Sequence, residues 1–141
     1  MHMQSDPQTM QINPHYEDIV DEVIGFLQQR VEAMEAIGID RARLCVDPGF
    51  GFGKTLAHNV TLLQNLGAIA TRTGLPVLAG MSRKSMIGEL SGRPAGERLA
   101  GSVAAALASV ARGARLVRVH DVAETIDALT VWHALQDPMA S

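Results

Sequence analysis

Three times along the chain a helix-like stretch runs through a glycine into a short β-rich segment: "EAIGIDRARLCVD", "TRTGLPVLAG" and "ARGARLVRVHD". No other feature of the sequence limits the possible folds as tightly. Gly38, Gly74 and Gly113 each stand where a helix would end in a left-handed residue, a conformation glycine adopts without steric cost. The apolar run after each one reads as a buried strand. Helices alternating with such strands predict an α/β fold with a parallel sheet.

The intervening segments have the periodicity this requires. In "YEDIVDEVIGFLQQRVEAMEAIG", Val20, Val23, Ile24, Leu27, Val31 and Met34 recur at helical spacing, and Glu17 and Asp18 suit the positive end of a helix dipole. A second helix repeats the pattern through Leu62, Leu66 and Ile69 behind an Asn59 cap. A third, over 95–112, carries small residues for close packing on a sheet. The fourth opens "DVAE", where Asp121 and Glu124 resemble a capping box, and buries Val122, Ile126, Leu129 and Trp132 on one face. Strands are expected near 1–4, 43–47, 76–80 and 115–119. Strand-like residues begin at Met1, so the first strand is expected at an edge or paired with protein absent from this chain, and the chain reads as truncated.

With 141 residues, 47% hydrophobic and 19% charged, the chain suffices for one folded domain, 1–141. A net charge of -3 argues against broad nucleic-acid binding, which needs enough cations to displace the counterions of a phosphate backbone. The only cysteine, Cys45, forms no internal disulfide and points to a reducing compartment, the cytoplasm; it is expected buried in its strand as core packing. The longest apolar stretch, "VAAALASVA", is too short to span a bilayer, so no membrane association is expected.

The segment "DPGFGFGKT" (47–55) raises the question of a phosphate loop. A Walker A loop needs a glycine five residues before the Gly-Lys pair, and that position is Pro48, which has no N–H and a fixed φ. The misfit leaves Lys54 and Thr55 to the loop and its following helix. Pro48 also holds Asp47 extended, placing its carboxylate at the C-terminal end of a strand, where parallel α/β folds bind ligands. The alternating Gly and Phe residues then form a mobile loop with aromatic faces. The next strand end leads into "MSRKSMIG", with Ser82, Arg83, Lys84 and Ser85. The third carries Arg118 and His120, two residues apart and therefore on one side. A carboxylate, a Ser/Arg/Lys turn and an Arg/His pair at successive strand ends suit a polar heterocycle with an anionic tail. His15, His58 and His133 lack the spacing of a metal site and read as surface or cap residues, and Met3, Met10 and Trp132 as packing.

Five stretches in order and spacing, "MHMQ" with "PQTMQ", "DPGFGFGKT", "GMSRKSMIG", "ERLAGS" and "RVHDV", resemble the dihydropteroate synthase family, the folate-pathway enzymes inhibited by sulfonamides. The resemblance covers essentially the whole chain and implies the C-terminal half of a (β/α)8 TIM barrel. It implies transfer of a pterin-methyl group: para-aminobenzoate condenses with 6-hydroxymethyl-7,8-dihydropterin pyrophosphate, releasing pyrophosphate with Mg²⁺ assistance. By the same resemblance Met1, Asp47, Gly80, Lys84 and Arg118 would bind the pterin, and Phe52, Arg83, Lys84 and Ser85 the benzoate. His120 would join the diphosphate site, Ser82 would help Gly80 shape the turn, and Lys84, Arg118 and His120 would carry the chemistry. The Mg²⁺ ligand, a diphosphate loop and an Asp and an Asn for the pterin would lie in the first half of the barrel, with no metal ligand in this chain. The chain departs from the family's usual glycine at Ser5. Activity of the chain alone is therefore not expected, and association as a homodimer or with a complementary half is. Two other classes fit the same residues: a non-catalytic pterin-binding or self-assembling half-barrel module, and a pterin-dependent methyltransferase barrel.

Overall fold

The computed structural model describes residues 1–4 and 6–136; Ser5 therefore lies outside the described residues. Helix α1 (Ile19–Ala36) starts where expected, because the Asp18 carboxylate accepts from the N–H groups of Val20 and Asp21. Its buried stripe comprises Ile19, Val23, Ile24, Leu27 and Val31. A 3-10 turn (Arg41–Arg43) follows, then α2 (Leu56–Gln64), α3 (Leu66–Thr73), strand β1 (Val77–Ala79), α4 (Ser85–Ser91), a second 3-10 turn (Ala95–Glu97), α5 (Leu99–Ala111), strand β2 (Ala114–Val117) and α6 (Val122–Gln136). Gly38, Gly74 and Gly113 all have positive φ at helix ends, as their spacing predicts.

The sheet is parallel but its strands are shorter than expected. β1 pairs with β2, Leu78 opposite Leu116 and Ala79 opposite Val117, after a register shift between Val77 and Leu78. The expected strand over 43–47 contracts to a single bridge, Val46 to Val77, because Arg41–Arg43 is wound into a turn capped by Asp40. The segment expected as a strand at 1–4 makes one ladder-like bond, from the His2 N–H to the Asp47 carbonyl (2.9 Å). Four segments nevertheless lie side by side in chain order, since Leu78 N–H donates to Val46 O and Arg118 N–H to Ala79 O. That is the order of a barrel sector, with α1 to α3 packed outside it.

The core lies between the sheet and these helices, where Val46, Val77, Ala79, Phe50, Leu62, Leu66 and Ile69 are buried with the α1 stripe. Cys45 corrects its expectation: it is exposed. Strand side chains alternate, and Val46 takes the core side. The expected apolar face of α6 is also corrected, for Val122 and Ile126 are more than half exposed and only Thr125 on that helix is buried. Nor does one continuous helix carry Leu62, Leu66 and Ile69. It is broken at Asn65, whose side-chain amide donates to the Thr61 carbonyl and so competes with the helical ladder. No described helix is long and apolar enough to cross a membrane.

Candidate active site

The loop after Val46 decides what its glycines do. Gly49, Gly51 and Gly53 all have positive φ. A Cβ on Gly49 would overlap the His2 carbonyl, and one on Gly53 would lie 2.9 Å from the Gln4 Cβ. The glycines bring the loop backbone against the N-terminal segment. Lys54 does not face a ligand either: it is buried, and its ammonium donates to the carbonyls of Gly49 (3.0 Å) and Phe52 (3.0 Å) and meets His2 Nδ1 at 2.9 Å. Because an ammonium only donates, Nδ1 of His2 accepts, and the imidazole proton resides on Nε2. Burial, then the Lys54 charge, push the His2 pKa down to about 4; burial lowers Lys54 to about 8 against the pull of Asp47. Tyr16 adds a third tie through its hydroxyl to the Gly53 carbonyl (2.8 Å). The expected mobile aromatic loop is thus corrected on one side, since Phe50 is fully buried and only Phe52 is partly open.

Asp47 stands half-buried at the mouth of this loop, and its Oδ1 accepts from the Gly49 N–H at 2.7 Å. One carboxylate oxygen therefore caps the loop. Lys84 reaches across from the next strand end. Its Nζ donates to the Phe50 carbonyl (2.5 Å) and lies 4.5 Å from the centre of the Phe52 ring. Burial lowers its pKa, Arg118 adds to that, and Asp47 opposes it. Asp47, Phe52, Lys84 and Arg118 thus share one electrostatic neighbourhood. Gly80 lies beside the Arg118 stem, where a Cβ would stand 3.6 Å from the Arg118 Cβ, an ordinary contact distance.

A second junction joins the ends of β1 and β2. Ser82 Oγ accepts from the His120 N–H (3.2 Å) and lies 3.0 Å from His120 Nδ1. Arg83 adopts φ 58°, donates its backbone N–H to Ser102 Oγ (2.9 Å), and extends its guanidinium to the Asp121 carboxylate through two bonds. That pair raises the Arg83 pKa and lowers that of Asp121. It also corrects the expected capping box at "DVAE", because the Asp121 side chain is engaged with Arg83. Ser85 is exposed at the first position of α4, and Met1 is exposed at the rim. The second-helix cap is corrected too: Thr55 caps α2 with His58 in a capping box, while Asn59 is buried within the helix, accepting from Gly51 N–H and donating to the Thr55 carbonyl.

Sequence reasoning assigned no role to His2, Tyr16, Arg98 or Ser102. Each acts through a backbone group or a partner remote in the chain, so a residue type alone gives no signal; "ERLAGS" marked the last two without showing their task. Among the described residues no three His, Cys, Asp or Glu side chains form a group fit to hold a metal ion. The donor set around Asp47 is cationic and does not suit Mg²⁺, which binds carboxylates, water and phosphates.

Residues 1–120 match the family described as pterin binding enzyme. A dihydropteroate synthase of Neisseria meningitidis serogroup C is 57% identical over 136 residues, 96% of this chain and 48% of the relative. The crystal structure of dihydropteroate synthase from Stenotrophomonas maltophilia with active site-bound imidazole aligns with TM-score 0.94 at 54% identity, covering 99% of this chain and 52% of that one. The Xanthomonas albilineans dihydropteroate synthase in complex with 7,8-dihydropteroate aligns with TM-score 0.86 at 58% identity, covering 89% of this chain and 48% of that one. The chain spans about half the length of the relatives it matches.

Proposed function

Because this chain belongs to the pterin binding enzyme family, we propose that it works in dihydropteroate synthesis, joining para-aminobenzoate to 6-hydroxymethyl-7,8-dihydropterin pyrophosphate with loss of pyrophosphate. The observation that carries this reading is Lys84, held between the Phe50 carbonyl and the Phe52 ring with Asp47 and Arg118 near enough to act on its charge. A carboxylate that accepts ring N–H bonds, a lysine that donates, and a planar guanidinium suited to an aromatic face match a pterin's edge and face. Similarity to a structure holding 7,8-dihydropteroate, in which both substrates' skeletons are joined, supports the assignment.

In this reading Asp47 and Lys84 fix the pterin, with Met1 at the rim, Gly80 at the adjoining strand end and Arg118 lying on the ring. Phe52, Arg83 and Ser85 border the benzoate, whose amine approaches near Lys84. Breaking the carbon–oxygen bond to pyrophosphate builds positive charge on the pterin methylene and negative charge on the leaving group. His120 joins the site of the departing diphosphate, while Arg118 stays on the pterin face. The amine attacks the methylene carbon as its bond to the pyrophosphate oxygen breaks, and the proton it loses goes to the released pyrophosphate or to water. Correct placement of the two reactants supplies much of the acceleration, and no covalent link to the enzyme is needed. Mg²⁺ would serve as the diphosphate's counterion, held outside this chain's described residues. The compartment is the cytoplasm, where folate precursors and a free Cys45 thiol both fit.

The proposal places full turnover in an assembly larger than this chain, as a homodimer or with a complementary half-barrel. Misplacing a reactant by about 1 Å costs about a hundredfold in rate, so half a positioning set is expected to leave little. Calorimetric titration with 7,8-dihydropteroate tests the site directly. The chain is expected to bind it, and Asp47→Asn to weaken binding by about tenfold or more, the worth of a hydrogen bond to a charged group. Absence of binding by folded protein would sink the reading. Formation of dihydropteroate by the isolated monomer would instead overturn the need for a partner, and methyl transfer from a methylated pterin would favour the methyltransferase class.

A further inference from the structure

We infer that Arg98 and Gly88 form a cradle that positions Lys84. Lys84 sits at a turn with an unusual backbone, since the preceding Arg83 is held at φ 58°, a left-handed conformation that a non-glycine residue adopts only when its surroundings enforce it. Arg98 supplies that enforcement. Its Nη1 donates to the carbonyls of Arg83 (3.0 Å) and Lys84 (3.2 Å), and its Nε to that of Arg93 (3.1 Å). The guanidinium therefore braces two successive carbonyls at the base of the lysine.

The rest of the α4–α5 junction is shaped around this contact. A Cβ at Gly88 would overlap the Arg98 guanidinium, so glycine there gives the cation its seat on α4. Ser102, one turn further along α5, donates its hydroxyl to the Arg98 carbonyl (2.6 Å) and accepts the Arg83 N–H (2.9 Å). A Cβ at Gly101 would lie 2.6 Å from Ile87 Cγ2, so this glycine keeps α5 close to α4. Arg98 meets Arg83 and Lys84 at their backbone carbonyls and not at their side chains; it is a positioning residue that acts through the backbone of Lys84. Its consequence for amine transfer rests on the synthase reading.

The sequence offers a direct probe, because Lys54 and Lys84 are its only lysines. Limited acylation of the full chain with acetic anhydride, read peptide by peptide by mass spectrometry, reports how tightly each ammonium is held. In Arg98→Ala, Lys84 is expected to acylate about tenfold faster than in the wild type, as loss of charge-assisted bonds frees the turn, while buried Lys54 stays protected. Guanidinium ion at non-denaturing concentration should slow Lys84 again in that variant, which a merely structural loss would not allow. Gly88→Ala keeps every hydrogen-bonding group yet displaces the guanidinium, and should give the same selective acceleration; Arg98→Lys should fall between. If Arg98→Ala does not fold, shown by acceleration at both lysines, the other two variants decide. Wild-type Lys84 reactivity in the folded variants overturns the proposal. Since acylation needs no substrate, that failure is distinct from a failure to bind 7,8-dihydropteroate.

Discussion

Lys54 shows how far residue type can mislead. In "GFGKT" it looks like a phosphate lysine, yet its three donors are spent on two loop carbonyls and on His2. The spacing of the glycines with Pro48 was enough to reject the phosphate loop, but the partner at position 2 is remote in sequence and left no pattern to read. This pair also sets a pH dependence. The folded-state pKa of His2 is about 4 against an ordinary 6.5, so between those values the unfolded chain binds more protons and stability rises with pH. On acidification from 6.5 toward 4 this group should cost about 1.4 kcal/mol per pH unit at the steepest. Urea unfolding across that range should show the loss, and His2→Gln should flatten it. An unchanged slope in the folded variant would remove His2 as the cause.

At the scale of elements, periodicity placed α1 and the Val23, Ile24, Leu27 and Val31 of its buried stripe, while Val20 and Met34 are only half-buried and Ile19 joins the stripe instead, and the three glycines ended their helices as expected. It could not see the break at Asn65, because Leu62, Leu66 and Ile69 stay buried on either side of it and the apolar pattern runs through unbroken. The cap of α2 was misplaced for a related reason. Asn59 has the chemistry of a cap, but burial inside the helix turns its amide to Gly51 N–H and Thr55 O, while Thr55 caps. The two residues should therefore differ on substitution. Thr55→Ala is expected to cost about 1 kcal/mol, as lost caps do. Asn59→Ala should cost about 1–3 kcal/mol because it strips the partner from a loop N–H. Chemical denaturation measures both, and a smaller loss for Asn59→Ala would contradict the assignment of the loop to that side chain.

Across the whole molecule, the core fills one side of the sheet only. Leu116 and, on α6, Val122 and Ile126 are exposed by 43%, 55% and 56%, and with Leu129 the α6 residues border an open apolar hollow of ≈ 430 Å³ beside β2. Apolar surface gathered in this way favours association. Sedimentation of the 15.1 kDa chain is expected to show self-association at micromolar concentration, and Ile126→Glu to shift it toward monomer. A dispersed wild-type monomer would count against the homodimer and leave the complementary half-barrel.

The sequence by itself determined the α/β class, the parallel order and the strand-end positions of Asp47, Lys84, Arg118 and His120, because these follow from local periodicity and from the alternation of side chains along a strand. The order of its motifs also carried the family. Tertiary structure alone decided which of those groups meet. It set Lys84 over Phe52, Ser82 against His120, Arg83 onto Asp121 and Arg98 under the turn, and it exposed Cys45 and one face of α6. Those outcomes depend on contacts between residues far apart in the chain, where burial and hydrogen-bond geometry, rather than local preference, select the partner.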